Sequence, residues 1–599
     1  MPTAAASSAN AAIYFHAEGY RTDQPKLMGR HAAGEGFLKG MLDHAAVGEL
    51  VAYAESGQQF ELFERLCREM GGRNAALPRA WAGPGREAAL TRAGALMLPG
   101  PNLAEQGWRR RRGDPRRWSV CGVTHTTASH RAMDSVGEFL TGPVEPWDAL
   151  ICTSTAVLRT VERILDGYGR WLRQRLGAVR LPRPQLPVIP LGIDCAALDP
   201  GAAEAKAARK AWRQRLGIGD ADLMVLFVGR LSWHAKAHPL PMYMGLQQAA
   251  ARLGKNVRLH LVESGWHAND WIRDGFAEAQ KALMPDVRCH LVDGREPEAR
   301  RGIWHAADLF CSLSDNIQET YGLTPVEAMA AGLPVVASDW DGYRDTLVHG
   351  ETALLVPTVL PLPEAGIPFA ERHEDGRDSY DHYCAQASLV TAVDVPATGA
   401  ALTALLAEPQ RRAAMGAAGR ARALALYDWR VVIGRYQELW AELAAIRRSP
   451  AAGTAAIAGP AGTAAIAGPA ETAAGVDHIG TAVPDPDLAV DIPPHPLRDN
   501  PFHLFGHYAT RSLGPDSRLC LLETPPATAE RVAGLRMNRL DNRAAHPSPL
   551  TLRLLARLQA AGGAGIAHAA LLAEFPPGER RAVAMGVGWL LKTGLIAAD

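Results

Sequence analysis

The sequence predicts an α/β protein with two doubly wound domains that face a cleft, followed by a mostly helical C-terminal module. Three observations predict it. Short apolar runs alternate with helix-length amphipathic patterns through residues 10–340, which is βαβ logic and implies parallel sheets covered by helices. The alternation runs twice, on either side of a helical pattern at 203–215. Beyond residue 447 an Ala/Gly/Pro-rich tract separates residues 496–599 from the rest.

The elements follow in order. In the first domain, residues 1–200, strands are expected at 12–16, 49–53, 118–124, 149–153 and 186–191. Helices are expected at 37–44, 59–70 and 156–165. In the second, residues 201–410, strands are expected at 224–228, 258–262, 287–291, 309–312 and 335–338. Helices are expected at 203–215, 242–253, 271–282, 298–306 and 325–331. Residues 358–390 look like an insertion. A long helical pattern at 411–446, carrying Tyr427, Trp429 and Tyr436, is expected to cross back to the first domain. Residues 448–495 read as a flexible linker, because Gly-Thr-Ala-Ala-Ile-Ala-Gly-Pro-Ala repeats in tandem and cannot bury a core. In the last segment, helix patterns at 549–560, 566–574 and 580–592 suggest a winged-helix-like unit from about residue 548.

With 599 residues, 47% apolar and 21% charged, the chain has the composition of a soluble globular protein. Its formal net charge of zero excludes a global drive toward nucleic acid or anionic membrane. The eight cysteines are scattered without C-x-x-C spacing, which fits a reducing cytosol and gives no zinc or redox site. The N-terminus lacks a basic start and an apolar core, so no signal peptide is expected. No run reaches about 18 apolar residues, so no transmembrane helix is expected.

The chemistry concentrates in Glu319-Thr-Tyr-Gly322-Leu-Thr324-Pro-Val-Glu327, followed by a helix, Gly332-Leu-Pro334 and an apolar strand. Eight residues is a little over two helical turns, so one side of the segment can carry both carboxylates. The turn between them offers free backbone N–H groups suited to an anion at a helix N-terminus. Thr324-Pro325-Val326-Glu327 also reads as a capping box, in which Glu327 would merely cap its helix.

This spacing resembles the E-x7-E motif of retaining GT-B glycosyltransferases, and its setting resembles glycosyltransferase family 4. The likeness spans about residues 10–445. It implies the GT-B fold, two Rossmann-like domains with acceptor in the first and nucleotide sugar in the second. By the resemblance Glu319 contacts hydroxyls of the transferred sugar and Glu327 the ribose. Backbone N–H groups at Gly322, Leu323 and Thr324 face phosphate. Gly229-Arg230 after a strand, with Lys236 a short loop later, would hold the donor diphosphate; the alternative is a pair of solvated cations. Two fixed cations stabilise a leaving diphosphate without a metal. Neither metal nor cofactor is expected beyond the nucleotide diphosphate sugar. His125, after an apolar strand, resembles the family's active-site His; the alternative is a polar filler. Gly29-Arg30-His31-Ala-Ala-Gly34-Glu35-Gly36 resembles a Gly-rich loop whose backbone would approach the donor at Gly36, with Arg30 and His31 toward the acceptor. Asp341 and Asp345 depart from the family's usual Gly and Glu.

The expected partners are a nucleotide-sugar donor and a hydroxyl acceptor, a glycan or glycolipid. The basic run from Trp108 to Trp118 reads as an exposed loop or as a peripheral contact with the inner face of a membrane. Residues 496–599 carry too few basic residues for a nucleic-acid reader and read as a packing or protein-interaction module. His503 and His507 lack a third ligand and read as structural. The expected activity is transfer of a hexose with retention, in polysaccharide, lipopolysaccharide or glycolipid assembly. Two alternatives stay open: a sucrose- or trehalose-type synthase, and a catalytically silent scaffold.

Overall fold

In the computed structural model, which describes residues 9–22, 29–254, 257–449, 495–522, 531–538 and 549–599, each of the first two domains folds around one parallel sheet. The first sheet comprises β1 (Ala12–Tyr14), β2 (Leu50–Tyr53), β3 (Arg79–Ala82), β4 (Ala95–Met97), β5 (Ser119–Val123) and β6 (Ala149–Ile151), in spatial order β3-β2-β1-β4-β5-β6. The second comprises β7 (Leu223–Val228), β8 (Leu259–Gly265), β9 (Arg288–Asp293), β10 (Leu309–Ser312), β11 (Val335–Ser338) and β12 (Ala353–Val356), in order β9-β8-β7-β10-β11-β12. The two orders are the same pattern, 3-2-1-4-5-6 in each domain's own count. The direction in which strands are added therefore reverses between β1 and β4, and again between β7 and β10, while every strand stays parallel, and such switch points are where open α/β sheets take ligands. Central strands such as Leu-Met-Val-Leu-Phe-Val are apolar throughout because helices cover both faces.

Several expectations are corrected. Strands β3, β4 and β12 were not anticipated. Residues 186–191 are not a strand, because Pro184, Pro187 and Pro190 have no N–H to donate. The stretch only borders β6, through Leu150 N–H to the Gln185 carbonyl (2.9 Å) and Ile189 N–H to the Cys152 carbonyl (3.1 Å). The pattern at 411–446 is two helices, Pro409–Leu426 and Trp429–Arg448. Asp428 restarts the second, its carboxylate accepting the Arg430 N–H at 2.9 Å. That second helix lies on the first domain, where the Arg447 guanidinium donates to the Gly94 carbonyl and to the Ser119 hydroxyl. The insertion holds a short strand, Thr358–Leu360, and the helices Ile367–Glu374 and Tyr380–Leu389. The expected linker lies outside the described residues except at its ends.

The C-terminal region is a three-stranded sheet (Arg518–Leu521, Ile566–Ala567, Ile596–Ala598) with helices Pro549–Ala561, His568–Ala573 and Arg580–Lys592. Residues 566–574 thus divide into strand and helix. Leu554, Val587 and Trp589 belong to the same apolar cluster as Leu96, Val120 and Leu150 of the first sheet. Ahead of it, residues 495–513 bridge the two sheet domains. On one side Arg498 pairs with Asp134 (2.6 Å), Arg163 donates to the carbonyls of His503 and Leu504, and Tyr508 shares a hydroxyl contact with Thr127 (3.2 Å). On the other, Asp341 N–H donates to the Tyr508 carbonyl (2.9 Å), and Arg511–Ser512 pairs with strand Thr358–Leu360.

The basic run is partly structural. Arg110 is fully buried and grips the Asp148 carboxylate with both terminal nitrogens at 2.6 and 2.7 Å. Arg109 pairs with Glu105 and Arg117 with Glu87. Trp108, Arg111 and Arg112 remain exposed. No helix among the described residues is long and apolar enough to cross a membrane.

Candidate functional site

The site forms at the switch point of the second sheet, from the loops leaving β7 and β10. After β7 the chain turns at Gly229, whose φ of 152° suits glycine, and Gly265 at the end of β8 lies so near that a Cβ there would meet the Gly229 carbonyl oxygen at 2.0 Å. Beyond it, Arg230 donates to the Ala235 carbonyl (3.0 Å), and Lys236 N–H closes a turn onto the Ser232 carbonyl (3.0 Å). After β10, Asn316 donates to the His234 carbonyl (3.0 Å) and Gln318 to the Ala235 carbonyl. The two loops are thereby tied together, and Lys236 forms an ion pair with Glu319.

Glu319 is shaped by opposing forces. Burial alone would raise its carboxyl, but Lys236 and the backbone N–H groups of Thr320 and Tyr321 hold it below the ordinary value. Past it the chain turns at Gly322 (φ 81°), where a Cβ would meet the Tyr343 ring at 2.0 Å; no other residue fits that turn. Gly322 is the N-cap of helix Leu323–Ala330, so the helix starts before Thr324. This overturns the capping-box reading: Thr324 lies inside the helix, and its buried hydroxyl has no protein partner among the described residues. Glu327 is half-buried on that helix, and no hydrogen bond or ion pair engages its side chain among the described residues. Burial pushes its carboxyl up to about 7 against the pull of Lys236. A desolvated carboxylate, an orphan hydroxyl and the N–H groups at Gly322, Leu323 and Thr324 thus share one helix start.

The first domain meets this segment directly. Thr320 donates its hydroxyl to the His125 carbonyl, Ser154 donates to the Thr320 carbonyl (2.8 Å), and Tyr321 donates to the Leu191 carbonyl (2.9 Å). His125 is therefore one residue's contact away from Glu319. Burial, with smaller contributions from Arg30 and His31, lowers its imidazole to about 4, so it is neutral at pH 7. His31 is buried and Arg30 reaches Glu18 at 3.4 Å.

Gly36 is corrected. Gly29–His44 is one helix, not a Gly-rich loop, and Gly36 and Gly40 form its contact with Trp429; a Cβ at Gly36 would meet the indole nitrogen at 2.9 Å. Packing against the returning helix accounts for these glycines. The two departures from the family pattern have structural roles that the sequence does not show. Asp341 has a φ of 48°, is fully buried, and neither carboxylate oxygen has a hydrogen-bond partner among the described residues; burial, then nearby Glu319, raises its carboxyl well above the ordinary value. Asp345, the other departure, spans the cleft to the Thr155 hydroxyl at 2.6 Å. Among the described residues no cluster of His, Cys, Asp and Glu could hold a metal ion.

Two doubly wound domains across a cleft, with a cation–carboxylate pair at the switch point of the second, define the GT-B architecture. Residues 208–361, which carry Arg230, Lys236, Glu319 and Glu327, match the family described as Glycosyl transferases group 1. Curated relatives include the D-inositol 3-phosphate glycosyltransferases of Nocardia farcinica, 28% identical over 33% of this chain and 42% of its own length, and of Mycolicibacterium gilvum, 30% identical over 36% and 46%. The chain spans less than half the length of these relatives. Among solved structures, Anabaena HepE in complex with UDP covers 72% of this chain and all of its own, at 14% identity and a TM-score of 0.44. The N-terminal domain of Candida albicans trehalose-6-phosphate phosphatase covers 74% and 98%, at 10% identity and 0.46. The fold assignment accordingly rests on the strand orders.

Proposed function

We propose that the protein is a retaining glycosyltransferase that moves a hexose from a nucleotide diphosphate sugar to a hydroxyl acceptor without a metal ion. The observation that carries this reading is the Lys236–Glu319 pair at the switch point, with Glu327, eight residues after Glu319, a desolvated carboxylate without a hydrogen-bond or ion-pair partner among the described residues. Lys236 and Arg230 sit where a leaving diphosphate needs positive charge, and the helix start at Gly322–Thr324 supplies N–H groups to its oxygens. Glu319 orients sugar hydroxyls, and Glu327 accepts from the ribose diol. The diphosphate departs on the face from which the acceptor attacks, and its oxygen takes the acceptor proton. Neutral His125 hydrogen-bonds near the anomeric centre. The acceptor is a glycan or glycolipid hydroxyl. A second reading, a soluble polyol or sugar acceptor, is favoured by the names of the relatives, which act on inositol 3-phosphate by description.

The test is calorimetric titration with UDP-, GDP- and ADP-sugars in EDTA, with Glu327→Gln and Lys236→Ala in parallel. One donor is expected to bind, and both variants to lose it. Failure of every donor to bind the folded protein refutes the reading. NMR of the product distinguishes retention from inversion.

A further inference from the structure

The C-terminal region touches the donor loops at a point that the site described above does not use. Asp315 lies on the loop leaving β10, four residues before Glu319, and is fully buried. Its carboxylate accepts from three directions: the ammonium of Lys592 at the end of helix Arg580–Lys592, the Ser388 hydroxyl of the insertion (3.0 Å), and the His238 backbone N–H (3.4 Å). Lys592 is itself fully buried. His238 follows Lys236 by two residues. Its ring accepts the Leu240 N–H at Nδ1 (3.3 Å) and donates from Nε2 to the Met537 carbonyl (3.2 Å), again in the C-terminal region. Ser314, beside Asp315, donates to the Lys236 carbonyl (3.3 Å). Thus the two loops that present Lys236 and Glu319 converge on one buried carboxylate, whose countercharge arrives from 277 residues away.

Helix Arg580–Lys592 is committed to this contact. It is buried over most positions from Val583 on, and a Cβ at Gly588 would meet the Val390 carbonyl oxygen at 2.9 Å. The face of the module that an added protein partner could use is therefore not this helix.

We propose that Lys592 is a positioning residue of the donor site, and that the C-terminal region is an obligate part of that site. The inference rests on the donor reading above. Lys592 touches no donor atom. It fixes Asp315, and through Asp315 and His238 it sets the separation of the loops that carry Glu319 and Lys236. A buried carboxylate deprived of its countercharge must take a proton or draw in water, and either change moves the loop.

Two measurements on the full chain test this. Donor affinity and thermal midpoint are measured for wild type, Lys592→Met and Asp315→Asn, and backbone hydrogen exchange over residues 531–538 and 580–592 is compared with and without saturating UDP-, GDP- or ADP-sugar. Coupling is reciprocal, so if the module positions the loops, donor binding must protect the module. The expected result is donor binding about tenfold weaker in Lys592→Met well below its melting temperature, together with slowed exchange in wild type over both segments. A purely structural ion pair would lower the midpoint and leave both readouts unchanged. Wild type that binds donor while folded Lys592→Met binds it within about twofold overturns the inference and leaves the donor reading standing. If the variants do not fold, wild-type exchange decides, and no protection over 580–592 overturns the inference. Wild type that binds no donor overturns both.

Discussion

Removing the Lys236 ammonium, by Lys236→Ala, strikes the pair on which the donor site turns. The Lys236 and Glu319 side chains are 22% and 12% exposed, so the pair lies between two limits. Breaking a fully buried pair costs about 3–5 kcal/mol, and an exposed one about 0–1. A loss of about 2 kcal/mol follows, or roughly 4–8 °C in the midpoint of a domain of this size. Donor binding suffers separately. A charge-assisted hydrogen bond is worth about 1.5–3 kcal/mol, so Kd should rise roughly 10- to 150-fold. The pH dependence gives an independent handle. Glu319 sits below its ordinary value in the folded protein. Its stabilisation is therefore complete above the unfolded value, near about 4.3, and is lost as pH falls through the folded value. The midpoint gap between wild type and Lys236→Ala should be full at pH 7 and close on acidification below about 4.3. Calorimetry supplies both quantities. A folded variant whose donor Kd matches wild type, or a gap that persists in acid, would refute the reasoning.

Other outcomes follow from the same geometry. Glu327→Gln should raise thermal stability at pH 8 by about 1–2 kcal/mol, since burial makes the ionised carboxylate costly above its unfolded value, while donor binding weakens more than about tenfold; a variant both less stable and fully binding would contradict this. His125→Ala should keep donor affinity and lose roughly 100-fold or more in turnover, and the wild-type rate should show no His125 titration above pH 5, because its imidazole stays neutral down to about 4. Gly36→Ala should lower the midpoint through its clash with Trp429, at a cost of about 1–3 kcal/mol, and leave donor Kd unchanged; weakened binding without destabilisation would restore the loop reading.

Most of the second domain was legible because β7, β10 and β11 are apolar runs between helical patterns, and because Glu319 through Glu327 is a contiguous string. What escaped notice was short or long-range. Strands β3 and β4 have four and three residues, and β3 alternates Arg, Ala, Trp and Ala without an apolar run. Glycines at 29, 34 and 36 read as a loop by composition. Only the partner helix, some 390 residues later, explains a helix face stripped of side chains at Gly36 and Gly40. Arg110 stands in a basic run that looks solvated until Asp148 is placed beside it. The Asp315–Lys592 contact has no local signature at all, since each residue is unremarkable in its own segment.

The bridging run at residues 495–513 has a mechanical consequence. It is bonded to the first domain at Asp134, Arg163 and Thr127, and to the second at Asp341 and Thr358–Leu360. Two plates joined only by crossing helices can swing apart about that joint. Two plates also laced along a second line can pivot about neither line without breaking the other. Large rotation about the crossover is therefore closed to this chain while the lacing holds. Access to the cleft is then left to movements of individual loops, or to release of the contacts around Tyr508.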